Sequence, residues 1–271
     1  MKFERLRRFD FMRDRLRLAA YDSGGYGLPV VFQHGLCGDA RQTAEAFPDD
    51  PAFRLITLEC RGHGASQAGE DFSIGTFADD IVAFIEQLGL GPVVLGGISM
   101  GSAISSRLAV RRPDLVRGLV LARPAWVVEA APLNMKPNLE VGELLARLPP
   151  AEARRKFEAS EAYAVLAREA PDNLTSLLGF FNREPIAVTS SLLTNISADG
   201  PGITEADLME LAVPALVLAT GQDFIHPVSH AERLARVIPG AVLKTLTPKG
   251  VDKPAYLADF HAELGAFLKD F

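Results

Sequence analysis

The chain's pattern predicts an α/β fold: a mostly parallel central sheet flanked by helices. Three observations carry that expectation. Short apolar runs alternate with segments of helical period along most of the 271 residues, as strands and crossover helices do in a parallel sheet. One apolar run, Pro92-Val93-Val94-Leu95, leads into a serine set between glycines, Gly97-Ile98-Ser99-Met100-Gly101, and then into a helix-compatible run from Ala103 to Val110. The stretch from Arg123 to about Asp207 contains no convincing strand.

Taken in order, Leu16 to Tyr21 alternates as a half-exposed strand and is followed by the turn residues Asp22-Ser23-Gly24-Gly25. Pro29 to Gln33 reads as a buried strand running into His34-Gly35, and Arg54 to Leu58 as the next, ending in Glu59-Cys60-Arg61-Gly62-His63-Gly64. Thr76 to Leu88 has helical spacing, with Phe77, Ile81, Phe84, Ile85 and Leu88 on one face. Gly118 to Ala122 is a further buried strand, Val213 to Ala219 and Ala241 to Leu246 are the sixth and seventh of the parallel series, and a helix from roughly Pro254 to Lys269 closes the chain. The strandless interval is rich in helix formers and is divided by prolines at 124, 132, 137, 149, 150, 171 and 185. It is expected to be a helical insertion over the C-terminal edge of the sheet, where an open α/β sheet places its ligand. The expected division is a core of residues 1–122 and 208–271 and a helical lid of residues 123–207.

The composition narrows the partners. A net charge of −6 argues against a general nucleic-acid or anionic-membrane surface. No run of about twenty apolar residues is present to span a bilayer, and Met1 to Arg5 has mixed charges and no apolar leader core. Cys37 and Cys60 have neither metal-ligand nor redox spacing. The expectations are a cytoplasmic protein with reduced thiols, no metal and no cofactor. Its partner would be a small-molecule substrate, not nucleic acid or membrane, and a homodimer stays open.

The Gly97–Gly101 segment reads G-x-S-x-G between a strand and a helix, the pattern of a nucleophile elbow. Glycine is needed there because the tight turn leaves little room for a Cβ. The helix N-terminus behind Ser99 offers free N–H groups to a developing anion. Together with His34-Gly35-Leu36-Cys37-Gly38, Arg61-Gly62-His63-Gly64-Ala65-Ser66 and Gly221-Gln222-Asp223, in this order and spacing, the chain resembles the α/β-hydrolase superfamily. The resemblance covers nearly the whole chain. It implies an α/β-hydrolase fold with the lid inserted after the sixth family strand, Ser99 as nucleophile and Asp223 as triad acid. It also implies an oxyanion hole from the Leu36 and Met100 amides, each donor contributing about 3 kcal/mol to the transition state. The position of His34 implies a role in ordering the oxyanion loop.

One position departs from that pattern. The family's general base follows the last strand in a glycine-histidine pair. Beyond the Ile238-Pro239-Gly240-Ala241 turn this chain has Gly250-Val251, and valine accepts no proton. Of the five histidines, His261 lies in the last helix beside the apolar stripe Leu257, Phe260, Leu264, Phe267 and Leu268, where a structural role is expected. His230 is expected to face solvent. His226 stands three residues after Asp223 and before Pro227, at the mouth of the expected site. It is the candidate base, a helix cap or pocket-lining role being the alternative. Arg123 leaves the strand before the insertion and either binds a substrate carboxylate or pairs with a carboxylate such as Glu129. Trp126, Phe157, Phe180 and Phe181 either line the pocket or pack. His34, Arg123 and Trp126 are the expected substrate-side residues.

The reading that follows is a serine hydrolase, esterase-like, acting on a small and largely apolar substrate with a non-standard or impaired triad. The alternative is a non-catalytic small-molecule binder on the scaffold of a former hydrolase.

Overall fold

The computed structural model describes residues 1–271. Its elements, in chain order, begin with β1 (Arg7–Arg13), β2 (Leu16–Asp22), β3 (Leu28–Gln33), α1 (Ala40–Ala46), β4 (Phe53–Leu58), α2 (Ile74–Gln87), β5 (Val93–Ile98), α3 (Met100–Arg111) and β6 (Val116–Ala122). There follow α4 (Lys136–Arg147), α5 (Pro150–Glu158), α6 (Glu161–Glu169), α7 (Pro171–Phe180), α8 (Ile186–Ala198) and α9 (Glu205–Met209). The chain then returns through β7 (Ala215–Thr220), α10 (Val228–Val237), β8 (Val242–Leu246) and α11 (Lys253–Leu268).

The eight strands form one sheet in the order β1-β2-β4-β3-β5-β6-β7-β8. β2 pairs antiparallel with β1 and β4, and every other pairing is parallel. This is the α/β-hydrolase fold. The central strands are buried on both faces, and their apolar side chains alternate between two cores. Val31, Val93, Leu95, Leu119 and Leu121 face the core shared with α2 and α3, while Val30, Phe32, Val94, Val120 and Ala122 face the core shared with α1 and α11.

β1 lies outside the strands expected from sequence. Its Arg7, Arg8, Asp10 and Arg13 make it read as a charged surface segment, yet Phe9 and Phe11 alternate and both reach Phe84 of α2, with ring centroids 6.2 and 5.2 Å away. Charge on the outer face suits a strand at a sheet edge, where it discourages pairing with another chain.

Between β6 and β7 the chain forms six α-helices, a short 3-10 turn at Leu133–Met135, and no strand. They and the segments between them share the apolar core on the α2–α3 side, through Phe157, Leu177 and Leu193 of the helices and Trp126 and Phe181 of the connections. Cys37 and Cys60 are unpaired thiols. No helix is long and apolar enough to cross a membrane.

Candidate active site

The parallel register brings the ends of β3, β5, β6 and β7 to one edge: Gln33 lies opposite Gly97, Ile98 opposite Ala122, and Ala122 opposite Leu218. Gly35, Ser99, Arg123 and the Asp223–His226 loop therefore emerge together. Ser99 sits at the junction of β5 and α3 with φ 57° and ψ −109°, a conformation that costs a non-glycine residue about 1–3 kcal/mol. Its N–H is held by the Ala122 carbonyl at 2.9 Å. A Cβ on Gly97 would meet the Gly101 backbone at 2.6 Å, and one on Gly101 the Gln33 carbonyl at 2.5 Å. The two glycines thus let three backbone segments converge beneath the serine.

The Leu36 N–H makes no backbone hydrogen bond, and Met100, first residue of α3, has no acceptor for its N–H within its own helix. The loop carrying Leu36 is fixed on every side. Gly35 N–H donates to Gln42 Oε1 at 2.6 Å, and Cys37 N–H to His63 Nε2 at 3.0 Å. Cys60 N–H donates to His34 Nε2 at 3.1 Å, tying in the neighbouring loop. Since each imidazole accepts at Nε2 and donates from Nδ1, to the carbonyls of Gly35 and Arg61, both rings are neutral. Burial agrees with that geometry, drawing His34 down to about 4 and His63 well below the ordinary histidine value. Glu59 completes the frame, accepting from the Ala40 and Ala65 N–H groups.

Asp223 and His226 share the loop after β7. Asp223 Oδ1 lies 2.7 Å from His226 Nδ1 and also accepts the His226 backbone N–H at 3.1 Å. A carboxylate can only accept, so Nδ1 carries the proton and Nε2 is left as a lone pair. Arg123 donates from Nε and Nη2 to Asp223 Oδ2, at 2.8 and 2.6 Å. The arginine and aspartate side chains are 8% and 3% exposed, so the pair is shielded from water. Although burial opposes ionisation, the charges of His226 and Arg123 hold the Asp223 carboxyl well below its usual range. His226 is also lowered, by burial first; the Asp223 charge opposes that shift and the Arg123 charge adds to it.

Two carboxamides from the helical insertion immobilise this loop. Asn134 Nδ2 donates to the Ala125 and Ile225 carbonyls at 2.9 and 2.6 Å. Asn173 Oδ1 accepts from the Phe224 and Ile225 N–H groups at 2.8 and 3.1 Å. Nothing in the local sequence marked either residue, because their partners lie 91 and 52 positions away in the chain.

Ser99, His226, Leu36 and Arg123 line a single cavity of about 100 Å³ under α4 and α7. Met135, Asn138, Asn173, Ser176, Leu177, Phe180 and Lys249 contribute to its wall. Several expectations are corrected here. His34 is fully buried in loop contacts and lies outside the wall. Trp126 is 2% exposed and turned away, its indole N–H donating to the Asp199 carbonyl at 3.0 Å. Arg123 faces the cavity but is engaged by Asp223 rather than Glu129, which pairs instead with Arg233. Six of the fifteen residues of the wall are hydrophobic. His230 is partly covered, with Nδ1 buried, and so does not simply face solvent. Val251 is 64% exposed and lies outside the cavity.

A parallel sheet with this serine turn, oxyanion-type loop and acid-bearing loop at one edge defines a class, and comparison with known proteins agrees. The alpha/beta hydrolase fold family matches residues 29–250, and the chain belongs to it. It is similar to the sn-1-specific diacylglycerol lipase ABHD11 of Mus musculus, with 28% identity over 264 residues, 88% of this chain and 80% of that one. It is also similar to the AB hydrolase superfamily protein YisY of Bacillus subtilis, with 28% identity over 232 residues, 79% and 81% of the two chains. Among solved structures, a thermophilic esterase from Thermogutta terrifontis superposes with a TM-score of 0.75 over 97% of this chain and 98% of its own, at 23% identity, a likeness of fold.

Proposed function

We propose that the protein is a serine hydrolase of small esters. Ser99 is the nucleophile, and His226, oriented by Asp223, is the general base in place of a histidine after β8. The observation that carries this reading is that Ser99 and His226 line one cavity while Asp223 holds His226 Nδ1 at 2.7 Å from behind. In this mechanism Ser99 Oγ attacks the substrate carbonyl carbon and gives its proton to His226 Nε2. The negative oxygen is met by the Leu36 and Met100 N–H groups. As the tetrahedral species collapses, His226 returns the proton to the leaving alcohol oxygen. Water then adds to the acyl-serine as His226 takes its proton, and the acid leaves as that proton returns to Ser99. Residues 123–207 serve as the lid, and their asparagines keep the base in place.

The second reading is a non-catalytic small-molecule binder. One observation favours it: the Ser99 hydroxyl makes no cap bond in α3 and no hydrogen bond to His226, whose Nδ1 is turned to Asp223.

A fluorophosphonate probe followed by peptide mapping separates the two. A covalent adduct on Ser99, lost in Ser99→Ala and slowed in His226→Ala, is expected for the hydrolase. No adduct, with Ser99→Ala and wild type equal on activated esters, leaves the binder. Labelling that His226→Ala does not slow would remove His226 as the base.

A further inference from the structure

We infer that Asn138 and Asn173 form a hydroxyl-recognising subsite in the cavity, and that the substrate is therefore a small uncharged ester carrying a free hydroxyl group away from its scissile bond. The ester half of this statement rests on the hydrolase reading; the subsite does not.

Both residues come from the helical insertion, Asn138 from α4 and Asn173 from α7, and both line the cavity together with Ser99. They are 5% and 4% exposed, so bulk water solvates neither carboxamide. Asn138 Oδ1 is buried with no hydrogen-bond partner. Buried polar groups in folded proteins are nearly always paired, and one left unpaired in a cavity wall calls for an explanation. The neighbouring Asn134 shows the contrast, since its Nδ2 is spent on two carbonyls of the fold. For packing alone, an apolar side chain of similar volume would serve at position 138 without the cost of an unmet carboxamide. An acceptor is met only by a donor, so the missing partner of Asn138 carries an O–H or an N–H and is not a carboxylate. Asn173 offers the converse. Its Oδ1 accepts the Phe224 and Ile225 N–H groups, which fixes which way the carboxamide points. Nδ2 is then the end left over, a donor with no partner within the protein. Since α4 and α7 pack against each other, an unmet acceptor and an unmet donor stand on adjoining parts of one wall. A hydroxyl is the smallest group that answers both, giving its proton to Asn138 Oδ1 and accepting from Asn173 Nδ2. A carboxylate only accepts, an ammonium only donates, and a methyl group does neither. The cavity's volume of about 100 Å³ restricts the ligand to a few carbons, which favours this one-atom group over a larger amide.

The test uses two pairs of esters in which a hydroxyl takes the place of a methyl group. One pair is methyl 3-hydroxybutanoate and methyl 3-methylbutanoate, with the change on the acyl side; the other is 2-hydroxyethyl acetate and propyl acetate, with the change on the alcohol side. Turnover is followed by pH-stat, and binding to the Ser99→Ala protein by calorimetry. In at least one pair the hydroxy ester is expected to be favoured in kcat/KM and in affinity by about tenfold or more, because a site built to hydrogen-bond a hydroxyl rejects the analogue that lacks it. Asn138→Leu should bring that ratio close to one, whereas Asn138→Asp, which still accepts the hydroxyl proton, should retain most of it. Asn173→Asp keeps an acceptor for the Phe224 and Ile225 N–H groups and should lower the ratio by removing the donor. Circular dichroism melts confirm that the variants fold, and Asn138→Ala substitutes for Asn138→Leu where the latter does not. Equal handling within both pairs by wild type, or a preference that survives loss of the Asn138 carboxamide, overturns the subsite. Hydroxyl-dependent binding that is lost with Asn138, without fluorophosphonate labelling of Ser99, supports the subsite and removes the hydrolase reading alone. Labelling without any hydroxyl preference does the reverse.

Discussion

Replacing Arg123 by methionine separates what the Arg123–Asp223 pair does for stability from what it does for chemistry. Methionine fills most of the same volume, so the change is chiefly one of charge and hydrogen bonding. In the wild type the guanidinium makes two short bonds to one carboxylate oxygen, lies 5.8 Å above the Tyr256 ring, and is 92% withdrawn from water. Removing it leaves the Asp223 carboxylate buried, with His226 as its remaining side-chain partner. Breaking a buried pair by deleting one member costs about 3–5 kcal/mol, against about 0–1 kcal/mol for an exposed pair. With two bonds lost and 3% exposure of the acid, the larger range applies. For a chain of this size that corresponds to a fall in Tm on the order of 10 °C. The assay is denaturant unfolding at pH 7, with Asp223→Asn and the double variant completing a cycle. The double variant should lose about 1–3 kcal/mol less than the sum of the two single changes. The loss should also shrink in acid. Asp223 has a folded pKa below its unfolded one, so its contribution is present above the ordinary aspartate value of about 3.9 and disappears as the pH falls through the folded value. A loss under about 1 kcal/mol at pH 7 would refute this reasoning, since the pair would then be behaving as a solvated surface contact.

Two further outcomes follow. If His226 is the base, kcat/KM should be flat at neutral pH and fall in acid with an apparent pKa below the usual histidine value of about 6.5, because burial and the Arg123 charge outweigh Asp223. Arg123→Met should move that limb to higher pH, and a limb unmoved by the change would exclude the assignment. Gly101→Ala should destabilise the fold by about 1–3 kcal/mol or more, since its methyl group would sit 2.5 Å from the Gln33 carbonyl; a melt within a degree of wild type would show that the turn relaxes freely.

What could be read from the chain depended on the range of the interaction. The central strands and α2 were legible because their signals are periodic over a few residues, and the Gly97–Gly101 turn because its steric demand is local. β1 was not read: four charged residues masked the Phe9–Phe11 alternation. The cavity was the least legible part. Asn134 and Asn173 act on a loop far along the chain, and Arg123 meets an acid 100 positions away, so no window of sequence contains both partners. His34 does order its loop as expected, but as substrate-side residues Trp126 and His34 were misplaced for a related reason. Proximity to a motif is visible in sequence, but the direction of a side chain is not. His34 points back into its loop and Trp126 toward Asp199.

The placement of Asp223 and His226 three residues apart on one loop has a consequence for inheritance and engineering. In a site assembled from two distant loops, each residue can drift on its own, and the angle between them depends on how the loops dock. Here one short turn carries both, together with the backbone bond from His226 N–H to Asp223 Oδ1. The contact between them is closed within residues 223–226, so a substitution elsewhere reaches it only by moving the loop as a whole. Changes in the β8–α11 loop leave that carboxylate–imidazole contact intact, since neither residue lies on it.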